Sequence, residues 1–316
     1  MSIIRVGTRG SALALAQTQT IANRIASSAG IEVEIVPIQT HGDVSTESLA
    51  SLGGTGVFAS ALREALIRGD CDVVVHSLKD LPTDAFPGLT IGATPKRADA
   101  RDALCARAGF TLETLPVGAR VGTGSPRRVA QLRKARPDLD VVDLRGNIDT
   151  RLGRVVEGDL DAVVLAAAGL GRLGRLDDAS TELLSLSDWP TAPGQGALAL
   201  EVRDEKLDRL LQTALTAINH GSTEGTTAAE RLVLAQLEAG CAAPIGATAV
   251  IDDGLLFLTA TVYSPDGLKS ITSSHAATPD SHAAHHLVEA ARDVAGRVAT
   301  DLLAGGAAEF APLKVK

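Results

Sequence analysis

Ala119-Arg120-Val121-Gly122-Thr123-Gly124-Ser125-Pro126-Arg127-Arg128 reads as a strand, a glycine turn and the first turn of a helix. Ser125 is an N-cap residue, and Pro126 suits the first helical position, where its missing N–H is no loss. The helix is expected to reach about Lys134. A strand feeding directly into a helix is the unit from which α/β folds are built.

The same unit recurs on either side. Upstream, Ile3–Gly7, Ile31–Ile38, Asp72–His76 and Leu89–Ala93 read as strands, with helices over Ala12–Ala26 and Phe58–Arg68. Downstream, Val141–Leu144 and Ala162–Ala166 are strands around the helix Ile148–Val156. Repeated strand–helix units imply parallel-type sheets covered by helices. The Pro/Gly-rich segment Trp189–Gly196 leads into a strand over Ala197–Val202. After Asn219 the character changes: a helix over Thr226–Leu237, alternating segments at Thr248–Ile251, Leu255–Tyr263 and Leu268–Ser273, and a long helix over Ala283–Leu303. That is an α+β domain.

A chain of 316 residues with 45% apolar content supports two or three cores. Aromatics are only 2%, which argues against single-stranded nucleic-acid binding by base stacking. The net charge of −8 argues against general nucleic-acid affinity. The three cysteines form no CxxC pair, so neither a disulfide framework nor a zinc site is expected. Four histidines, His275, His282, His285 and His286, have no acidic or cysteine partner completing a set by sequence spacing, and no metal is expected. The first residues lack a signal-peptide pattern and no apolar run spans a membrane, so the expectation is a cytoplasmic protein without a membrane partner. Charge is uneven: Arg97–Arg175 holds 14 basic and 10 acidic residues. A basic middle in an acidic chain suggests an anion site, although charge runs are usually solvated faces.

Three strand-to-helix turns carry arginine. They are Gly7-Thr8-Arg9-Gly10-Ser11, the Gly122–Arg128 turn, and Leu144-Arg145-Gly146-Asn147-Ile148-Asp149-Thr150-Arg151. Helix N-termini bind anions, and arginine suits bidentate carboxylate recognition. At the carboxyl ends of strands, where ligands of open α/β sheets bind, they point to a ligand with several carboxylates. Phosphate competes, but no Walker-type lysine motif is present. In Val75-His76-Ser77-Leu78-Lys79-Asp80-Leu81-Pro82, Lys79 could pair a carboxylate and Asp80 could act as acid, base or cation stabiliser. As a bare dipeptide it would read as an exposed turn. In Leu237-Glu238-Ala239-Gly240-Cys241-Ala242-Ala243-Pro244-Ile245-Gly246, Cys241 lies in a tight loop, either a reactive thiol or a small buried hydrophobe. The arginine motifs favour the reactive reading.

In order, TRGSALA, VHSLKDLP, GTGSPRR, LRGNIDTR, AAAGLGRLG, APGQGAL and LEAGCAAPIG resemble the porphobilinogen deaminase (hydroxymethylbilane synthase) family over nearly the whole chain. The resemblance implies an α/β fold: two domains like the halves of type II periplasmic binding proteins, plus a smaller α+β C-terminal domain. The expected boundaries are 1–97 with 197–217, 98–196, and 218–316. The first two would each supply half of a cleft. It implies a dipyrromethane cofactor held by Cys241 through a thioether, with porphobilinogen as substrate. Asp80 would be the catalytic carboxylate. Lys79, Asp80, Thr123, Ser125, Arg127, Arg128 and Arg151 would bind the cofactor. Arg9, Ser11, Arg145, Arg151, Arg172 and Gln195 would bind substrate. A monomer is expected. Two departures stand out: Thr55 replaces the lysine of the family's GGKGxF loop, and Gly124 replaces a serine of its GTSS run. The competing readings are a non-enzymatic polycarboxylate-binding module of solute-binding fold and a cysteine hydrolase, which would need a histidine beside Cys241.

Overall fold

The structure is a computed structural model that describes residues 3–39, 57–239 and 243–313. The first stretch of chain forms β1 (Ile3–Arg9), α1 (Ala12–Ala29), β2 (Glu32–Ile38), α2 (Val57–Arg68), β3 (Val73–Ser77) and β4 (Leu89–Ala93). The middle forms β5 (Asp102–Ala106), β6 (Arg120–Gly122), α3 (Pro126–Ala135), β7 (Asp140–Val142), α4 (Ile148–Val156), β8 (Ala162–Ala166), α5 (Ala167–Arg172), α6 (Leu176–Ala179) and β9 (Glu182–Leu183). The chain then adds β10 (Leu198–Arg203), α7 (Arg209–Ile218), α8 (Gly221–Gln236), β11 (Ile245–Asp252), β12 (Leu255–Tyr263), β13 (Ser270–Ala277) and α9 (Ala284–Ala304). Two compact units result: Met1–Arg97 with Ala197–Glu224, and Ala98–Gly196 with Gly225–Lys316.

In the first unit the sheet order is β2-β1-β3-β10-β4. β1 runs parallel to β2 and β3, whereas β10 is antiparallel to both neighbours. The parallel pairing expected of strand–helix units holds for β2, β1 and β3, and β10 adds antiparallel pairs to it. A strand that returns from elsewhere in the sequence enters the sheet without a crossover helix, so nothing forces it to be parallel. Side chains alternate across the sheet as its pleat demands. Val73, Val75, Leu198, Leu200 and Val202 pack with Ile21 and Ile25 of α1 and Leu211 and Leu215 of α7. Val74 packs with Leu62 and Leu66 of α2, and Ala199 with Ala59 of the same helix. Helices thus cover both faces.

The second unit holds two sheets. One has the order β7-β6-β8-β5-β9, parallel through β7, β6 and β8 and antiparallel where β5 joins β8. Leu104, Val121, Leu132, Val164 and Trp189 fill one face. Cys105, Leu144, Leu152, Val163, Leu165 and Leu170 fill the other. The second sheet is the antiparallel meander β11-β12-β13, whose core packs on α8 and α9. The segment before β10 holds onto this meander: the Ala247 N–H donates to the Thr191 carbonyl at 2.9 Å. Gly196 ends the segment at φ +86°, and a Cβ there would lie 2.7 Å from the Ala98 carbonyl oxygen. Only glycine fits that crossing. Among the described residues, no helix is long and apolar enough to cross a membrane.

Candidate active site

Two groups of functional side chains form, one in each unit. In the first, β1 ends on Arg9 and α1 begins after Ser11. Ser11 Oγ accepts the Ala14 N–H at 3.3 Å, capping the helix. β3 runs into a 3-10 turn, Leu78–Asp80. Leu78 and Leu81 are buried and pin both ends of this turn, with half-buried Lys79 and exposed Asp80 between them. Arg9, Ser11, Gln17, His76, Ser77 and Asp80 line a pocket of about 80 Å³. It combines a carboxylate that can stabilise a cation with a guanidinium and hydroxyls that can bind an anion. Behind it, Arg63 donates to Glu201 from Nε at 3.0 Å and Nη2 at 2.8 Å, and His76 Nε2 lies 3.2 Å from Glu201 Oε2.

The second group surrounds Asp102, which is fully buried at the start of β5. Ser125 Oγ accepts the Arg128 N–H at 3.5 Å, so α3 begins as the sequence suggests, with Pro126 at its first turn. Thr123 is buried, and its Oγ1 accepts the Ser125 N–H at 3.3 Å. A Cβ on Gly124 would lie 2.7 Å from the Leu144 carbonyl oxygen, so the missing hydroxyl goes with a close approach of two turns. Arg127 Nη1 reaches Asp102 Oδ2 at 3.0 Å and Arg128 Nη2 reaches Oδ1 at 2.6 Å. Trp189 Nε1 and Gln195 Nε2 add donors at 2.9 and 2.8 Å. Burial works against an ionised Asp102, but the two arginines outweigh it and hold the carboxyl well below the usual range.

One carboxylate does not neutralise this region. Arg127 is depressed by burial. Arg151 is depressed by burial and then by the nearby charges of Arg128 and Arg145, although its Nε donates to the Gly146 carbonyl at 2.8 Å. Arg145 is 3.9 Å from Asp143, a carboxylate largely in water. The Nε atoms of Arg127, Arg128 and Arg145 are buried without a hydrogen-bond partner among the described residues. Four guanidinium groups crowd together with a deficit of negative charge and unmet donors, and an anionic ligand with several carboxylates would supply both. Arg172 donates to the Gly196 carbonyl at 2.7 Å, and burial pushes its guanidinium down to about 10.

Residues 4–210 match the family model described as "Porphobilinogen deaminase, dipyromethane cofactor binding domain". Residues 226–304 match "Porphobilinogen deaminase, C-terminal domain". The chain belongs to the porphobilinogen deaminase family. It is 67% identical to the porphobilinogen deaminase of Leifsonia xyli subsp. xyli over 313 residues, covering 98% of this chain and 95% of that one. It is 52% identical to the porphobilinogen deaminase of Micrococcus luteus over 301 residues, covering 84% and 80%. Among solved structures, a periplasmic substrate-binding protein of an ABC transporter from Coxiella burnetii aligns at 17% identity with a TM-score of 0.44, covering 68% of this chain and 91% of that one.

Within this porphobilinogen deaminase framework, Arg9, Ser11 and Asp80 share one pocket, with Lys79 in the turn beside it. Thr123, Ser125, Arg127, Arg128, Arg145 and Arg151 gather at the ends of β6 and β7. Gln195 is buried, and its amide also donates to the Ala100 carbonyl at 2.9 Å. Cys241 and the loop with Thr55 lie outside the described residues. Cys71 and Cys105 are buried, and burial pushes their thiols up to about 11 and about 12, so neither is a thiolate at neutral pH. Sequence reasoning missed Asp102. Its signal is an acidic residue opening the apolar run Asp102–Ala106. The reading that the C-terminal histidines have no acidic neighbours is corrected: donor atoms of Asp280, His286 and Glu289 lie within 4.8 Å of one another, and His275 pairs with Asp301 at 2.6 Å. A preceding loop and a helical turn bring together residues that sequence spacing keeps apart.

Proposed function

We propose that this chain joins four porphobilinogen units head to tail, with loss of ammonia, and releases hydroxymethylbilane by hydrolysis. It would act as a monomeric cytoplasmic transferase of tetrapyrrole biosynthesis, without nucleic-acid or membrane partners. The observation that carries this reading is the under-neutralised arginine cluster around Asp102, which fits a ligand rich in carboxylates. Family membership favours it over a non-enzymatic solute-binding module. A dipyrromethane bound through a thioether to Cys241 would supply a pyrrole terminus for chain growth and carboxylates for the arginines.

Arg127, Arg128 and Arg151 would neutralise the cofactor carboxylates, with Lys79, Thr123 and Ser125 as further donors and Asp80 at the cofactor's pyrrole N–H groups. Arg9, Ser11, Arg145 and Arg172 would hold the acetate and propionate groups of substrate. Gln195 would act by steadying Asp102, because its amide nitrogen already donates there. Loss of ammonia from substrate leaves a cationic methylene-pyrrole. The Asp80 carboxylate, exposed and lining the pocket, would stabilise that cation and accept a pyrrole N–H.

The test is intact mass spectrometry. Active wild-type protein should exceed the polypeptide mass by one dipyrromethane, carried on the peptide containing Cys241. Cys241→Ser should fold without the adduct. Unmodified mass in active wild-type protein overturns the reading.

A further inference from the structure

The first unit buries a trio of ionisable side chains that the chemistry above leaves without a role. Glu201 on β10, Arg63 on α2 and His76 on β3 are 3%, 7% and 6% exposed. The pleat explains their meeting. Glu201 shares the face of Ala199, and His76 that of Val74, and this is the face α2 covers. Burial works against an ionised Glu201, but hydrogen bonds from His76 and Arg63 outweigh it and hold its carboxyl below the usual range. Glu201 is therefore a carboxylate at neutral pH and can only accept. The contact to His76 Nε2 at 3.2 Å is then a donation from the imidazole.

Arg63 also pairs with the Glu201 carboxylate, at 2.8 Å. In a neutral ring the donation to Glu201 puts the hydrogen on Nε2 and leaves a lone pair on Nδ1. Nδ1 has no hydrogen-bond partner among the described residues, and His76 lines the same pocket as Asp80. The arrangement follows the logic of a buried carboxylate that orients an imidazole and stabilises its protonated form.

We propose that His76 is a second acid–base group of this pocket, whose Nδ1 takes the proton released at each chain addition while Glu201 and Arg63 hold the ring. The inference rests on the activity proposed above. In each addition the substrate's C–N bond breaks, and its electron pair leaves on nitrogen, so the ammonium group departs as ammonia. A carbon–carbon bond forms between the freed methylene and the acceptor ring carbon, and that carbon's proton passes to Nδ1. His76 then returns the proton to ammonia or water before the next addition. The other ionisable groups lining the pocket are Arg9 and Asp80, with Lys79 in the adjoining turn.

Two measurements test this. In protein labelled with ¹⁵N-histidine, the His76 ring at neutral pH should show Nε2 protonated and Nδ1 unprotonated, and Glu201→Gln should abolish that preference. In steady-state assays of hydroxymethylbilane formation, His76→Gln should lower kcat by about 10²–10⁴-fold. KM should stay within about threefold, as for a group that acts on the proton and not on binding. A base works deprotonated, so wild-type kcat should rise with pH through an imidazole limb, and that limb should vanish in His76→Gln. An Nδ1–H tautomer in the wild type, or a folded His76→Gln with wild-type rate and limb, overturns the inference. Should the variant not fold, the wild-type spectrum decides. A wild type that makes no tetrapyrrole refutes the proposed activity instead, and the spectrum still reports on His76.

Discussion

Replacing Asp102 by Asn changes one atom and should unsettle the whole second unit. Asp102 has no solvent exposure and accepts from Arg127, Arg128, Trp189 and Gln195 at 3.0, 2.6, 2.9 and 2.8 Å. An asparagine there would turn an N–H₂ group toward donors on one side and leave two buried guanidinium charges without their counter-ion. Breaking a buried ion pair by removing one partner costs about 3–5 kcal/mol. The Nε atoms of both arginines are already buried and unpartnered among the described residues, so rearrangement offers little relief. For a unit of this size, that corresponds to a fall in Tm of roughly 10 °C. Trp189 is the only tryptophan and donates to Asp102, so its fluorescence reports unfolding at the site itself. The pH dependence has a definite sign. A carboxyl held below its ordinary value stabilises the fold above about pH 4 and loses that contribution as pH falls toward its folded-state value. Acid should therefore destabilise Asp102→Asn less steeply than wild type. Asp99→Asn is the control. It removes a partly exposed pair with Arg101 and should cost less than about 1 kcal/mol. A Tm for Asp102→Asn within about 2 °C of wild type, well short of that fall, would refute the argument.

Two further outcomes follow from the same geometry. Asp80 is exposed, so Asp80→Asn should fold as wild type by circular dichroism but lose roughly two to three orders of magnitude in tetrapyrrole formation, with Asp80→Glu retaining more; near-normal turnover in a folded Asn variant would move the role elsewhere. Arg151 is disfavoured as a cation by burial and by Arg128 and Arg145, so Arg151→Met should melt no lower than wild type when both are prepared without cofactor, yet load less of it by intact mass; a clearly lower Tm would show that Arg151 is structurally required.

The sequence alone carried the element types and the family. Ser125-Pro126 fixed where α3 begins, because capping is a local preference that no distant contact needs to supply. The arginines at three strand-to-helix turns marked an anion site, and the ordered motifs announced the family to which the chain belongs. Strand pairing was less legible. β10 joins its sheet antiparallel, and β5 was not anticipated, because the partner of a strand is set by residues far away in sequence. The buried charges were least legible of all. Glu201 lies 125 residues from His76, and Asp102 lies 26 from Arg128. A lone acidic residue in an apolar run reads the same whether it ends in solvent or in a core. Only the packed sheet decides, because an ionised group is tolerated in the interior only where opposite charges and donors meet it, and that meeting is a property of tertiary structure.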